Sequence, residues 1–365
     1  MWTFTLSDLA GNDLGEMVNA DSRTLSFGLS RPAVASFMVR WDFPWLSNLL
    51  TEDLLLRVYD DTTLRFHGIL TTVEVGQDEQ GITVACTATD PSWRLQKRLC
   101  GKSANGTAFT TATDRAMIIK SLIDTANSET NGNTMLATDT VAAASTAIYT
   151  AGPYKPIYTC LQELSQTYDG FDWQITPQER DASGRIGRFF AESLAGATRA
   201  SAVFEYGGSK ANMASFTYQR NWGDLANKVY HILDDGAAAA ANAVISSTAA
   251  LGIDSQVARF LYEDVAEASG LTDTTLRQSL VDAHVDTRKL PRRTFTFTPS
   301  PDVGDGRVPS LYTDYEPGDN VRVRVNSDDT NLIDGFVRVW QVQVSVDSLG
   351  MATITPTLVD EEAGI

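Results

Sequence analysis

Basic residues are scarce in this chain. Against 46 acidic side chains stand 29 lysines and arginines, which leaves a formal net charge of −17. Tight binding to nucleic acid needs a dense lysine and arginine surface, so that class is disfavoured. A surface that must not stick to DNA is compatible with the balance. Cysteine is scarce too, with only Cys86, Cys100 and Cys160. Their number is odd and no CxxC spacing occurs, so neither a disulfide framework nor a zinc site is implied. Cys86 lies in a β-rich run and Cys160 among apolar residues of an expected helix, the places of free buried thiols. No apolar run approaches the roughly 18 residues of a membrane helix. The opening "MWTFTLSDLAG" lacks the basic region and apolar core of a signal peptide. The expectation is a soluble protein made in a cytoplasm.

Catalytic motifs are missing as well. A nucleophilic triad needs a base, usually histidine, and the chain has His67, His231 and His284 alone. His67 precedes a hairpin glycine, His231 alternates with Tyr230 and Ile232, and His284 sits among acidic residues of an expected helix; each reads as structural or solvated. There is no GxSxG and no HExxH, and "GKS" at 101–103 lacks the upstream glycine of a P-loop. "DVGDGRV" and "NSDDTN" miss the spacing of a calcium loop. The carboxylate pairs Asp60/Asp61, Asp234/Asp235 and Glu361/Glu362 fall in turns or at the terminus, where hydration explains them better than glycoside hydrolysis. No catalytic residue, cofactor or metal is expected. Trp41, Phe43, Trp45 and Trp222, in Pro/Gly-bearing loops, serve either as interface anchors or as caps on barrel ends.

What is abundant is alternation. The first hundred residues read as strands and polar turns, the pattern of an antiparallel sandwich or small barrel. "DLLLRVYDDTTLRFHGIL" is an expected hairpin, with Leu54, Leu56 and Val58 on one face and Leu64 and Phe66 on the return. The pattern changes near 101. "TDRAMIIKSLIDTANSE" (113–129) predicts a helix capped by Thr113 or Asp114, with Met117, Ile118, Leu122 and Ile123 as its apolar stripe. Pro156 suits the first turn of a second helix carrying Ile157, Leu161 and Leu164; "FDWQI" and "GRIGRFFAES" could pair as strands. Strand character returns over 201–233. An alanine-rich stretch then leads to a helix over 271–291, capped by Thr272 and stopped by Pro291. The fold class is therefore α+β and mainly β. Residues 1–100 form a first β domain and 101–200 an α+β middle. Residues 201–235 and 291–365 form a discontinuous second β domain, and 236–290 a helical insertion packing with the middle.

The two ends resemble each other. With Gly68 set against Gly335, Leu54, Leu56 and Val58 fall without a gap on Val321, Val323 and Val325, Arg57 on Arg324 and Phe66 on Ile333. Leu70 meets Val337, Thr72 meets Val339 and Val75 meets Val342. After about three extra residues in the second turn, Val84 meets Ile354 and Asp90 meets Asp360. Period-2 alternation aligns any two strands, so the weight rests on the gapless strand–turn–strand–glycine–strand match. The alternative is two unrelated hairpins. A duplication predicts that 54–90 and 321–360 superpose.

These features together resemble the trimeric baseplate or tail-tip hub proteins of long-tailed phages, including minor tail proteins of actinobacteriophage-like siphophages. The likeness spans almost the whole chain. It is carried by "LAGNDLGEMVNADSRTLSFGLSRPAVASFMV" (9–39), "GILTTVEVGQDEQGITVACTATDPSWRLQKR" (68–98) and the segment 317–358. The resemblance implies two tube-protein-like antiparallel β-barrels per chain, the second interrupted by the insertion, and a homotrimer whose pseudo-sixfold ring joins a sixfold tail tube to a threefold tip or central fibre. The implied partners are a distal tail protein or tail tube protein, a tape measure protein, and a fibre or other minor tail proteins. DNA passes through the channel without specific binding, and an acidic lumen would let it slide. The implied place is the virion tail tip, after assembly in the host cytoplasm. The chain stops after the second barrel, so receptor binding and wall digestion are expected in other proteins. A distal tail protein, or a tail component that binds or hydrolyses cell-wall glycan, stands as the alternative.

Overall fold

The fold is described from a computed structural model for residues 1–18, 20–78, 81–102, 106–138, 141, 145–166, 170–193, 195–221, 223, 225–232, 244–248, 262–266, 274–289, 292–300, 306–327, 330–347 and 349–360. The first part of the chain forms β1 (Trp2–Asp8), β2 (Asp13–Glu16), β3 (Asp21–Gly28), β4 (Val34–Arg40), α1 (Leu46–Thr51), β5 (Leu54–Asp60), β6 (Thr63–Asp78), β7 (Gly81–Thr89) and α2 (Ser92–Lys97). The middle holds β8 (Leu99–Cys100), β9 (Thr107–Asp114), α3 (Arg115–Ser128), β10 (Leu136–Thr138), β11 (Thr146–Ala151), β12 (Lys155–Pro156), α4 (Ile157–Ser165), β13 (Asp172–Pro177) and β14 (Gly187–Glu192). Then come β15 (Thr198–Tyr206), β16 (Met213–Asn221), β17 (Lys228–Ile232), β18 (Val244–Thr248), β19 (Glu263–Val265), α5 (Thr274–Arg288), β20 (Arg292–Pro299), β21 (Asn320–Ser327), β22 (Thr330–Val346) and β23 (Ala352–Asp360).

The chain is α+β and mainly β, as its alternation predicts. One sheet dominates, and it is built twice over. The strand order β3-β4-β7-β6-β5-β1 in the first half recurs as β16-β20-β23-β22-β21-β15 in the second, with the strands entering in the same chain order. The pairing register recurs as well. Leu56 faces Gly68 and Val58 faces Phe66; Val323 faces Gly335 and Val325 faces Ile333. These are the matches the sequence gives without a gap. Each copy breaks register twice, after Val58 and Val325 and again at Leu70/Thr72 and Val339/Gln341. The second break comes two residues later in the second copy, so beyond it Thr72 and Val75 match Gln341 and Val344 rather than the Val339 and Val342 expected from sequence. Bulges add twist to a long strand and let it leave one neighbour for another. One difference stands out: β1 joins β5 antiparallel, whereas β15 joins β21 parallel.

Barrels at the two ends were the expectation; among the described residues neither half closes on itself. The cause is β3. Its outer edge, which a closed barrel would need, is spent on β22 of the other half. The halves therefore run on as one sheet and share one core, in which Phe4, Leu25, Phe37, Leu56, Val84, Phe204, Phe297, Val323 and Val344 are buried together.

A second core belongs to the middle. Asp114 caps α3 by accepting from the Ala116 and Met117 amides at 2.9 and 3.2 Å. Ile118, Ile119, Leu122 and Ile123 face inward, while Met117, placed in the apolar stripe by sequence, is exposed. Pro156 precedes α4, and β13 pairs with β14 as expected. The small-residue strands β9 and β11 pair antiparallel. The region 236–290 contains α5 and also β18 and β19, which flank β17. Leu276, Leu280 and Val281 of α5 share a core with Ile119, Leu161 and Trp173 of the middle. Thr272 and the alanine-rich 236–250, apart from β18, lie outside the described residues.

The matched glycines are not equivalent in their surroundings. A Cβ on Gly68 would lie 2.6 Å from the Thr89 carbonyl oxygen and 2.3 Å from the Phe66 ring, whereas one on Gly335 meets nothing within 4 Å. Gly68→Ala should cost about 1–3 kcal/mol of overpacking, while Gly335→Ala should stay within about 0.5 kcal/mol of wild type. Urea denaturation of both variants checks the contrast.

Candidate assembly surface

The junction between the halves is a run of backbone pairs from Gln341 opposite Gly28 to Val346 opposite Arg23. Period-2 alternation places Val342, Val344 and Leu25 inward, each fully buried. Gly28 permits the closest approach: a Cβ there would stand 2.4 Å from the carbonyl oxygen of the bulged Trp340. Arg31 spans the seam, bonding to Gln341 and lying 5.5 Å from the Trp340 ring centroid.

Residues paired across strands share a face, so register reveals what the side of the sheet away from the core carries. One row runs Thr353, Ser345, Thr24, Ser36, Thr87, Thr72 across six adjacent strands. Next to it stand Thr355, Gln343 and Ser26, and further along Thr217, Thr296, Thr357 and Gln341. Thr24 and Ser36 hydroxyls lie 2.7 Å apart, and the Gln341 amide donates to the Ser26 hydroxyl at 2.5 Å. Charged side chains on the face gather at its margin: Glu74 opposite Ala85, Asp21 opposite Met38, and Arg40 opposite Thr83, with Arg40 and Asp21 3.8 Å apart. The surplus of carboxylates lies elsewhere. The middle of the chain covers one end of the face, through Leu55, Ile69, Met135 and Ile186. There the buried Arg338 bonds to Asp172 and donates to the carbonyls of Ala195 and Gly318 at 2.9 and 3.2 Å.

The histidines are not brought into one site. His67 sits in β6, and its Nδ1–H donates to the Gln178 carbonyl at 2.9 Å. Burial, above all, lowers its pKa to about 4. Asp90 is nearby, on the same cavity of ≈ 210 Å³, with Arg31, Arg65 and Tyr312. Asp90 accepts from the Ala33 and Ser92 amides at 2.6 and 2.9 Å, and burial pushes its carboxyl up to about 6. His231 accepts from Arg277 Nε at 2.9 Å, far along the chain, in β17. Burial lowers His284 on α5. Of the carboxylate pairs, Asp60 and Asp61 occupy the β5–β6 turn beside the Met1 ammonium; Asp234/Asp235 and Glu361/Glu362 lie outside the described residues.

The three thiols are free and buried. Cys100 and Cys160, unrelated in sequence reading, meet at 3.4 Å beside Lys155, Glu163 and Tyr149. Their hydrogen bond and burial hold the Cys160 thiol above its ordinary range. Phe43 and Trp45 pack edge to face at 5.3 Å against the core, while Trp41 stays exposed and Trp222 lies outside the described residues. Among the described residues, no cluster of His, Cys, Asp and Glu could hold a metal ion and no helix is long and apolar enough to cross a membrane.

The pH response of His67 has a definite sign. The unfolded chain binds its proton below about pH 6.5, the folded chain only below about 4. The folded state is therefore penalised as pH falls through that window. Asp90, raised by burial, acts in the opposite sense between its ordinary value of 3.8 and about 6. Relative to His67→Gln, wild type should gain roughly 3 kcal/mol between pH 4 and 6.5. Denaturant titrations of both proteins across that range measure the difference.

No family model matches the sequence, and no curated relative does. Solved structures do. A 43 kDa tail protein of prophage MuSo2 from Shewanella oneidensis aligns with a TM-score of 0.61 at 12% identity, covering 99% of both chains. The tail protein from Neisseria meningitidis MC58 aligns at 0.58 and 10% identity, over 98% of this chain and 96% of that one. Prophage tail protein gp18 from Listeria monocytogenes EGD-e aligns at 0.56 and 12%, over 99% and 95%. With near-complete coverage in both directions, this chain has the fold of prophage tail proteins.

Proposed function

We propose that this chain is a structural hub of a phage tail tip, acting as a homotrimer. Three chains would set six related half-sheets around a channel, matching a sixfold tail tube on one side and a threefold tip or central fibre on the other. The observation that carries this reading is the doubled sheet, the same strand order and register twice in one chain with a seam between the copies. A duplicated unit lets threefold symmetry imitate sixfold symmetry. The neighbours of the ring would be a distal tail or tail tube protein, the tape measure protein, and a fibre or other minor tail proteins. The fold of prophage tail proteins supports this setting.

The hydroxyl and amide face would line the channel. In place of the acidic lumen implied by the resemblance, its central rows would present hydroxyls and amides, with Glu74, Asp21 and Arg40 at the margin. Serine, threonine and glutamine offer passing phosphates no cation to release counterions against, so DNA gains nothing by stopping there. The scattered histidines, each with a local structural role, fit a protein that conducts and connects rather than one that turns over a substrate.

Native mass measurement should give three times 39.7 kDa, and particle images should show threefold symmetry at the tip. A clean monomer with turnover of host-wall glycan would sink the proposal. A second test addresses the channel face. Thr296→Lys, Thr355→Lys and Gln343→Lys combined should create DNA retention that weakens steeply with salt, the logarithmic slope growing by about 0.9 per phosphate neutralised. Unchanged behaviour would place DNA elsewhere.

A further inference from the structure

The internal seam has a counterpart that the chain leaves unfilled. In the second half, β22 passes its bulge at Trp340 and pairs over 341–346 with β3. In the first half, β6 passes its own bulge and pairs over 72–78 with β7 on one side. Its pairing with β5 covers 63–69, and no described strand lies along the other edge of 72–77. The strand that corresponds to β3 is β16, since β3–β4–β7 and β16–β20–β23 are matched in order. β16 ends the sheet, paired with β20. Thus one copy of the seam is filled within the chain, and the two edges of the other copy are both present and, among the described residues, both open.

Register can be carried from the filled seam to the open one. Gln341 corresponds to Thr72 and Val344 to Val75, two residues past the gapless sequence match, because each pair stands at the same distance past its bulge and opposite matched residues of β23 and β7. Leu25 corresponds to Tyr218, through Ala35 and Phe295 and their partners Ala88 and Leu358. In the filled seam Val344 faces Leu25, and both are 0% exposed. The matched pair in the open seam is Val75 and Tyr218, which are 49% and 42% exposed. The two residues that would face each other are thus both large apolar side chains left in water, at the two positions whose counterparts are fully buried.

We infer that the edge of β6 over 72–77 pairs antiparallel with β16 of a second copy of this chain, Val75 opposite Tyr218 and Glu74 opposite Gln219. The inference rests on the ring reading above and supplies its contact. The interface is head to tail, since each chain offers β6 to one neighbour and β16 to the other. Such contacts close into a ring when the rotation allows. They also remove two open edges, which natural sheets rarely leave uncovered.

Cysteine cross-linking of the native protein tests the pairing, because Cys86, Cys100 and Cys160 are buried. Val75→Cys with Tyr218→Cys in one chain, treated with a short bis-maleimide, should convert most of the protein into covalent trimers. Each single variant alone should give no cross-link, and an equimolar mixture of the two singles should stop at dimers. Glu74→Cys with Gln219→Cys, on the opposite face and away from apolar packing, should reproduce the ladder if loss of Tyr218 disturbs β16. A trimeric native mass without cross-links in either double variant would overturn this interface and leave the ring standing. A monomeric native mass without cross-links would overturn both and leave the edges to a strand of another protein.

Discussion

The antiparallel pairing of β3 with β22 is the contact on which the architecture turns. Among the described residues, every other strand pairing joins neighbours of one half or of one local sheet. This one joins residues more than three hundred positions apart and makes the two halves a single sheet. Its strength is not in any unusual group. It comes from satisfied backbone amides and carbonyls, which are costly to leave unpaired in a buried setting, and from Val342, Val344 and Leu25 entering a common core. Opening the seam would expose that apolar area and a strand edge together. Rigid coupling of the halves follows from the fold itself.

The middle of the chain reinforces the seam from the other side. Arg338 lies on β22 at the end of the outer face, and its guanidinium is buried between Asp172, Gly318 and Ala195. A buried cation with several oxygen partners adds little net stability over an apolar substitute, yet removing one partner is severe because the remaining charge stays desolvated. Arg338 therefore fixes where the middle sits on the sheet more than it holds the sheet together. The apolar contact of Met135 and Ile186 with Leu55 and Ile69 does the same for the first half.

Much of the sheet was legible in the sequence. The gapless match about Gly68 and Gly335 reappears as identical pairing of β5 with β6 and of β21 with β22, because a register moved by one residue would turn Val321, Val323 and Val325 to the wrong face. Beyond the second bulge it slips by two residues, which keeps the same face inward. The matching glycines themselves misled: one is required by the Phe66 ring and the Thr89 carbonyl, and the other by nothing around it. The seam was not legible. Nothing local in "LSFGLS" distinguishes an edge that meets its own half from one that meets another. The hydroxyl-rich face was visible in principle, in the threonines of "RRTFTFTP" and "ATITPTLV", but its identity as one continuous surface depends on pairings between strands that lie far apart along the chain. The strands of the insertion were hidden behind its alanine-rich neighbour and the periodicity of α5. Cys100 and Cys160 meet only because β8 and α4 are brought together by β12.

The two halves match in strand order but not in what hangs between their strands. Where the first half passes from β3 to β4 across residues 29–33, the second passes from β16 to β20 across β17, β18, β19 and α5. Duplication within one chain makes such a difference heritable on one copy alone. A ring of these chains would offer its inner wall six times over and this appendage only three. A neighbour that reads the wall meets a hexamer, whereas one that grips the appendage meets a trimer. The change of count would then be written into alternate positions around a single layer, with no separate adaptor needed between them.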